Sequence, residues 1–237
     1  MKQINLKNKN VFLTGATGDI GSKIAADLSN HGCNLILNSR NEENLVKLSK
    51  NIQNKNKINI MPGDLTDDNV LNKIITKTKS ISNVDILINS AGIFPISSLE
   101  DVNNDELQSI LDINFLVPFK LMREFSKEMI RNKWGRIVNI GSSSSYSGFK
   151  NTSVYCASKH ALLGASRSIH DELKEHNVRT YCISPSSAQS RMGQKSKDQD
   201  FSTFLNPEDV AEFISYIISF DSNIMVEEIL LKRLHTR

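Results

Sequence analysis

One feature constrains this chain above all others: short apolar runs alternate with longer amphipathic segments along its length. The runs are NVFLTG (10–15), NLILNS (34–39), INIMPG (58–63), VDILINS (84–90), GRIVNIG (135–141), VRTYCIS (178–184) and a weaker MVEEILL (225–231). Their length and β-branched content fit strands covered on both faces. Helical patterns fill the gaps at about 20–32, 42–52, 67–80, 104–132, 153–176 and 207–220. Asn206-Pro207-Glu208-Asp209 shows one start plainly, with a capping residue, Pro at the first helical position and acids in the first turn. Alternation of this kind predicts an α/β fold, a seven-stranded parallel sheet with right-handed crossovers and helices on both faces.

No linker, repeat or break in composition interrupts the pattern, so one domain is expected over residues 1–237. The least regular stretch is polar, at about 186–204, and a loop this long is expected to serve the substrate. Hydrophobic residues at 39% and charged residues at 23% allow a sizeable core and exclude global disorder. The net charge of +3 gives no footprint for nucleic acid or a membrane surface. The Lys- and Asn-rich tract at 50–60 reads as a solvated face. Cys33, Cys156 and Cys182 are widely spaced without a CxxC, so no metal site is expected. The N-terminus has no apolar signal region and no run approaches a membrane span, so a cytoplasmic protein is expected.

The first strand leads directly into Thr14-Gly15-Ala16-Thr17-Gly18-Asp19-Ile20-Gly21 and then a helix. Glycines there permit a tight turn and close approach of phosphate oxygens to the backbone. The helix N-terminus offers free N–H groups and partial positive charge to a pyrophosphate. A Gly-rich turn in this position points to a Rossmann-type, doubly wound sheet that holds a dinucleotide. The second strand ends in Asn38-Ser39-Arg40, where an acidic residue would select NAD(H). Arg40 suits a 2′-phosphate, with Ser39 adding a hydrogen bond, so NADP(H) is the preferred expectation and NAD(H) the alternative.

Tyr155 and Lys159 are four residues apart near the start of a helical pattern, on one face. An ammonium beside a phenol is expected to lower the Tyr pKa towards neutrality, which suits proton exchange with a substrate oxygen. Ser142, Ser143 and Ser144 end the fifth strand, where one hydroxyl can hydrogen-bond a developing alkoxide. No G-x-S-x-G elbow is present.

Taken together, the motifs resemble the short-chain dehydrogenase/reductase family over nearly the whole chain. They are TGATGDIG (14–21), Asp64-Leu65, Asn89-Ser90-Ala91-Gly92, Asn114 in LDINF, Ser142, Tyr155-Cys156-Ala157-Ser158-Lys159 and Pro185-Ser186. The resemblance selects Ser142 among the serines, because the family's Ser lies thirteen residues before its Tyr. It implies that Ser142 polarises a carbonyl, that Tyr155 is acid or base, and that Lys159 holds the nicotinamide ribose and tunes Tyr155. Asn114 is implied to position a water leading from Lys159. Asp64 and Leu65 are implied to flank adenine. Asn89, Ala91 and Gly92 are implied to border the adenosine ribose and pyrophosphate, alongside Gly15, Thr17, Gly18, Asp19, Ile20 and Gly21 of the turn. Pro185, Ala188 and Ser190 are implied to border the nicotinamide.

The chain departs from the family's TGxxxGxG turn at Asp19, which stands where glycine is usual, and has Ser186 after Pro185 in place of glycine. Asp19 is a candidate cap for the first helix, and its carboxylate is adverse to a pyrophosphate. NPEDVAEFISYIIS (206–219) followed by MVEEILLKR (225–233) resembles the branch that acts on serine and other short 3-hydroxy acids. Arg191 and Lys195 are candidate partners for a substrate carboxylate, or solvent-facing charges. The expected activity is interconversion of a small polar carbonyl compound and its alcohol. The alternatives are a 3-oxoacyl-[acyl-carrier-protein] reductase and a non-catalytic NADP-binding sensor. The family also implies a homotetramer or a dimer, with the patterns at 104–132 and 153–176 packed against a second copy.

Overall fold

A computed structural model of the chain describes residues 3–52, 57–195 and 199–234. The Lys- and Asn-rich tract and the polar stretch at 186–204 therefore lie partly outside the described residues. Seven strands form: β1 (Asn10–Thr14), β2 (Asn34–Ser39), β3 (Ile58–Pro62), β4 (Ile86–Asn89), β5 (Gly135–Ile140), β6 (Val178–Pro185) and β7 (Glu228–Leu231). All pair in parallel, in the order β3-β2-β1-β4-β5-β6-β7. The helices are α1 (Asp19–Asn30), α2 (Glu42–Asn51), α3 (Asp68–Ile81), α4 (Asn104–Leu111), α5 (Val117–Arg131), α6 (Ser153–Leu173) and α7 (Pro207–Ile218). This is the doubly wound, Rossmann-type sheet that the alternation predicts.

The strand period of two sorts the core into two layers. Val11 and Leu13, Leu35 and Leu37, and Ile86 and Ile88 face one way, onto Ile24 and Leu28 of α1, Leu45 of α2 and Ile214 and Ile218 of α7. Phe12, Ile36 and Leu87 face the other way, onto Ile74 of α3, Leu121 and Phe125 of α5 and Leu162 of α6. Covering both faces explains why the strands read as unbroken apolar runs.

Helix starts follow local chemistry. Asn41, Asp67, Asn103 and Asn206 each accept a backbone N–H through the side chain at the N-cap of α2, α3, α4 and α7. The helical pattern at 104–132 is divided by a π-helical turn over Asp112–Leu116. Turns of this kind re-aim a side chain inside a helix, and here the centre of the turn is Asn114. The seventh strand is shorter than its apolar run, because it starts only where Glu228 pairs with Cys182.

At the amino-terminal end of β5, Arg136 is fully buried. It donates to the carbonyl oxygens of Ile218, Phe220 and Asn177 and pairs with Asp221 at 2.8 Å. It thereby ties the end of α7 to the sheet. Among the described residues, no helix is long and apolar enough to cross a membrane.

Candidate active site

The order of strands reverses between β1 and β4, and the crevice at such a point is where ligands bind in open α/β sheets. A cleft of about 1180 Å³ opens there, along the carboxyl ends of the strands. It exceeds the roughly 300–1,000 Å³ of an ordinary small-molecule pocket, leaving room for two ligands side by side. Its walls bring together residues far apart in sequence: the glycine turn, the β2 end at Ser39 and Arg40, Asp64 and Leu65, Ala91 and Gly92, Ser142, Tyr155, Lys159, and Pro185 to Ser190.

The glycine turn is built for close approach. Gly15 has φ +64°, and a Cβ on it would lie 2.8 Å from the Ala91 nitrogen. A Cβ on Gly21 would lie 2.2 Å from the Gly15 carbonyl oxygen. Thr14 closes the gap between strands, its Oγ1 accepting the N–H groups of Ser90 and Ala91 at 3.1 Å. The first α-helical bond of α1 runs from Ser22 N–H to the Gly18 carbonyl. The amides of the first turn before it have no intrahelical acceptor. A turn this tight, in which a Cβ on Gly15 or Gly21 would strike neighbouring backbone, brings its amides to a helix N-terminus and fits a pyrophosphate. The N-cap of α1 is Gly18, without a side-chain cap. Asp19 therefore does not cap the helix. Its carboxylate accepts from Arg191, at 2.8 Å from the backbone N–H, and pairs with the Arg191 guanidinium at 3.3 Å.

At the end of the cleft beside β2, Thr17 Oγ1 and Ser39 Oγ share a hydrogen bond of 2.6 Å, and Arg40 is exposed on the wall. Burial pushes the Asp64 carboxyl up, but hydrogen bonds from Thr66 and the charge of Arg40 outweigh it and hold the group below the usual carboxylate range. Asn89 is placed differently from what the motif implies. It is buried, its amide donates to Asn139 at 2.8 Å, and it lies off the cleft wall. Its role is to join β4 to β5 behind the site.

At the other end, α6 presents Tyr155 and Lys159 one turn apart. Of the three serines, Ser142 is the one whose hydroxyl acts on the Tyr155 phenol, pulling its pKa down. Ser142 is held in turn by Ser145 and Ser144, in a reciprocal cap. Lys159 Nζ donates to the Ile140 carbonyl at 2.7 Å and lies 5.8 Å from the Tyr155 ring centroid.

The pKa expectation for Tyr155 is overturned. Burial pushes the phenol up to about 12, against the pull of the Ser142 hydrogen bond. Burial pushes Lys159 down to about 8. The spacing does put both groups on one face, but Phe94 packs edge-on against the phenol at 4.7 Å and the ammonium is turned towards Ile140. Desolvation of both groups outweighs their mutual influence.

Asn114 is also off the wall. Its Oδ1 accepts from Ile93 N–H at 2.9 Å, while Nδ2 donates to the Ile93 carbonyl and to Ser158 Oγ. The side chain therefore locks the Gly92–Ile93 backbone against α6, and its hydrogen bonds go to protein groups. Arg191 and Lys195 both reach back to the protein backbone. Arg191 Nη2 donates to the Thr17 carbonyl at 3.2 Å, and Lys195 Nζ to the Phe94 carbonyl at 2.8 Å. Sequence reasoning missed a mouth of the cleft formed by Phe94, Ile96, Phe149, Lys150 and Met192. These residues come from three separate segments, and only the fold gathers them.

A model of the short chain dehydrogenase family matches residues 9–200. The chain belongs to that family. Its members are oxidoreductases, and the match spans the glycine turn and the Tyr155–Lys159 pair. The chain is 32% identical over 225 residues to the 3-oxoacyl-[acyl-carrier-protein] reductase FabG of Rickettsia conorii, covering 91% of each. Among solved structures it resembles a 4-hydroxyisoleucine dehydrogenase complexed with NADH, at 26% identity and a TM-score of 0.85, covering 95% of this chain and 97% of that one. A metagenomic short-chain oxidoreductase in complex with NADP shares the fold, with a TM-score of 0.86 at 24% identity, covering 98% of this chain and all of the other.

Proposed function

We propose that this chain is an NADP(H)-dependent oxidoreductase that interconverts a carbonyl compound and its alcohol, with Tyr155 as the proton donor or acceptor. The observation that carries it is the convergence of Ser142, Tyr155 and Lys159 at one end of a cleft whose other end is the glycine cradle. A bound nicotinamide cofactor supplies the hydride. The glycine turn and the α1 N-terminus hold its pyrophosphate, and Ala91, Gly92, Pro185, Ala188 and Ser190 line the cleft between the two ends. The relative that binds NADH and the chain's place among the short chain dehydrogenases support a nicotinamide cofactor. Arg40 and Ser39 on the wall, with no carboxylate at the β2 end, favour the 2′-phosphate form.

With its phenol pushed up to about 12, Tyr155 holds its proton at neutral pH. It then serves as the acid that protonates a substrate oxygen, which favours reduction of the carbonyl. Ser142 steadies the same oxygen by a hydrogen bond. Lys159 supplies a buried cation behind the phenol, and Asn114 acts as a positioning residue for the Gly92–Ile93 wall.

For the substrate, two readings stand. A small polar carbonyl compound such as a 3-oxo acid is favoured by the resemblance of residues 206–219 and 225–233. A 3-oxoacyl thioester is favoured by two observations: the mouth presents exposed Ile96, Phe149 and Met192 beside Lys150, and the Rickettsia relative is a reductase of that class. We give the thioester the greater weight. The test is oxidation of NADPH and NADH across 3-oxo acids, aldehydes and 3-oxoacyl thioesters, with Tyr155→Phe alongside. Turnover should fall roughly 10²- to 10⁴-fold in the variant, and turnover unchanged by it sinks the mechanism. The sheet and cleft involve the chain from β1 to β7, so we also propose that residues 1–237 act as one catalytic unit, with assembly into a tetramer or dimer carried over from the family.

A further inference from the structure

The glycine turn carries a charge that does not belong in a phosphate cradle, and a distant segment compensates for it. Asp19 sits at the first position of α1, on the wall of the cleft. A carboxylate there opposes an anion at the helix N-terminus, where the backbone dipoles and free amides otherwise attract one. Arg191, 172 residues away in sequence, lies over it. Its backbone N–H donates to Asp19 Oδ2 at 2.8 Å, its Nε approaches Asp19 Oδ1 at 3.3 Å, and its Nη2 donates to the Thr17 carbonyl at 3.2 Å. One residue thus neutralises the carboxylate and fastens to the backbone of the same turn.

The guanidinium has five N–H donors in a planar fork. Among the described residues Nη1 has no protein partner, and it lies on a cleft-lining side chain. The segment carrying Arg191 is itself braced. Ser190 Oγ accepts the Gly193 N–H at 2.9 Å, and Lys195 reaches the Phe94 carbonyl on the substrate side.

We propose that Arg191 is a cofactor-affinity residue: it cancels the charge of Asp19 and presents its remaining N–H donors to the pyrophosphate of the dinucleotide. The pair substitutes for the glycine that the turn lacks, and it links dinucleotide binding to the order of residues 188–195 at the substrate end. This rests on the dinucleotide reading above.

The test is a double-mutant cycle on dissociation constants for NADPH, read from the fluorescence of the reduced nicotinamide without turnover. Both side chains are at least one-third exposed, so the variants should fold, and a thermal melt of each checks this. Arg191→Gln should weaken binding roughly tenfold, because it leaves Asp19 uncompensated beside an anion. Asp19→Gly should bind as well as the wild type or better. In the Asp19→Gly background, Arg191→Gln should cost no more than about twofold, the residual being direct contact in a solvent-screened site. An Arg191→Gln variant that binds like the wild type overturns the proposal. So does an equal loss in both backgrounds, since Arg191 then acts without reference to Asp19. Wild-type protein that binds neither NADPH nor NADH overturns the dinucleotide reading itself.

Discussion

Lys159 is the group whose surroundings least suit its charge, and replacing it should make the protein more stable while destroying activity. The side chain is 5% exposed, its Nζ donates to a single carbonyl, Ile140, and burial pushes its pKa from 10.5 to about 8. A displacement of that size corresponds to about 3 kcal/mol of unfavourable free energy at neutral pH. At pH 7 the amine is protonated in both folded and unfolded protein, so the whole cost is present. Between about pH 8 and pH 10.5 the folded protein gives up this proton while the unfolded chain keeps it. Stability therefore rises with pH across that window, and the cost is gone above it.

Lys159→Met removes the charge and keeps a long unbranched side chain. It also takes the donor from the Ile140 carbonyl, which costs about 1 kcal/mol. The variant should be about 2 kcal/mol more stable at pH 7, melting higher by about 4–8 °C for a chain of this size. Its advantage should vanish at about pH 10 and become a deficit of about 1 kcal/mol above that, because the lost donor remains when the charge cost has gone. Urea unfolding of both proteins at pH 7, 9 and 10.5 measures this, and a turnover assay should show a loss of roughly 10²- to 10⁴-fold. A Met variant that is no more stable at pH 7, or an advantage that does not change with pH, refutes the reasoning.

Three further outcomes are expected. Gly21→Ala would place a Cβ 2.2 Å from the Gly15 carbonyl oxygen, backbone against backbone. It should cost about 1–3 kcal/mol in urea unfolding and weaken dinucleotide binding in the same preparation. Arg40→Asp should weaken NADPH binding by about tenfold or more and leave NADH binding unchanged or improved, as read from the two dissociation constants. Arg136→Met deprives the Ile218, Phe220 and Asn177 carbonyls and Asp221 of their donor and should cost about 3–5 kcal/mol. The Arg136 guanidinium lies 4.4 Å over the ring of Trp134, the one tryptophan in the chain, so its fluorescence reports the unfolding.

The family motifs picked out most of the residues that line the glycine-turn end of the cleft. Gly15, Gly18 and Gly21 lie within one turn, and Tyr155 and Lys159 within one helical turn, so local geometry is enough to relate them. Asn89 and Asn114 show where a motif stops being a site. Both occupy the expected positions, yet the Asn89 Nδ2 goes to Asn139 and the Asn114 amide to Ile93 and Ser158. A motif gives the position of a side chain along the chain but not the direction in which its polar atoms are satisfied.

Features that follow from period and local backbone were legible in the chain: the parallel sheet with both faces covered, the glycine turn ahead of α1, and the shared face of Tyr155 and Lys159. Features that depend on burial and on contacts across the chain emerged only with the fold. The Tyr155 pKa moved up rather than down, because desolvation is set by Phe94 and the cleft wall, not by spacing from Lys159. Asp19 turned out to be half of a pair, because its partner arrives from 172 residues away. Charge compensation acts through space, and only the fold specifies which charges are close.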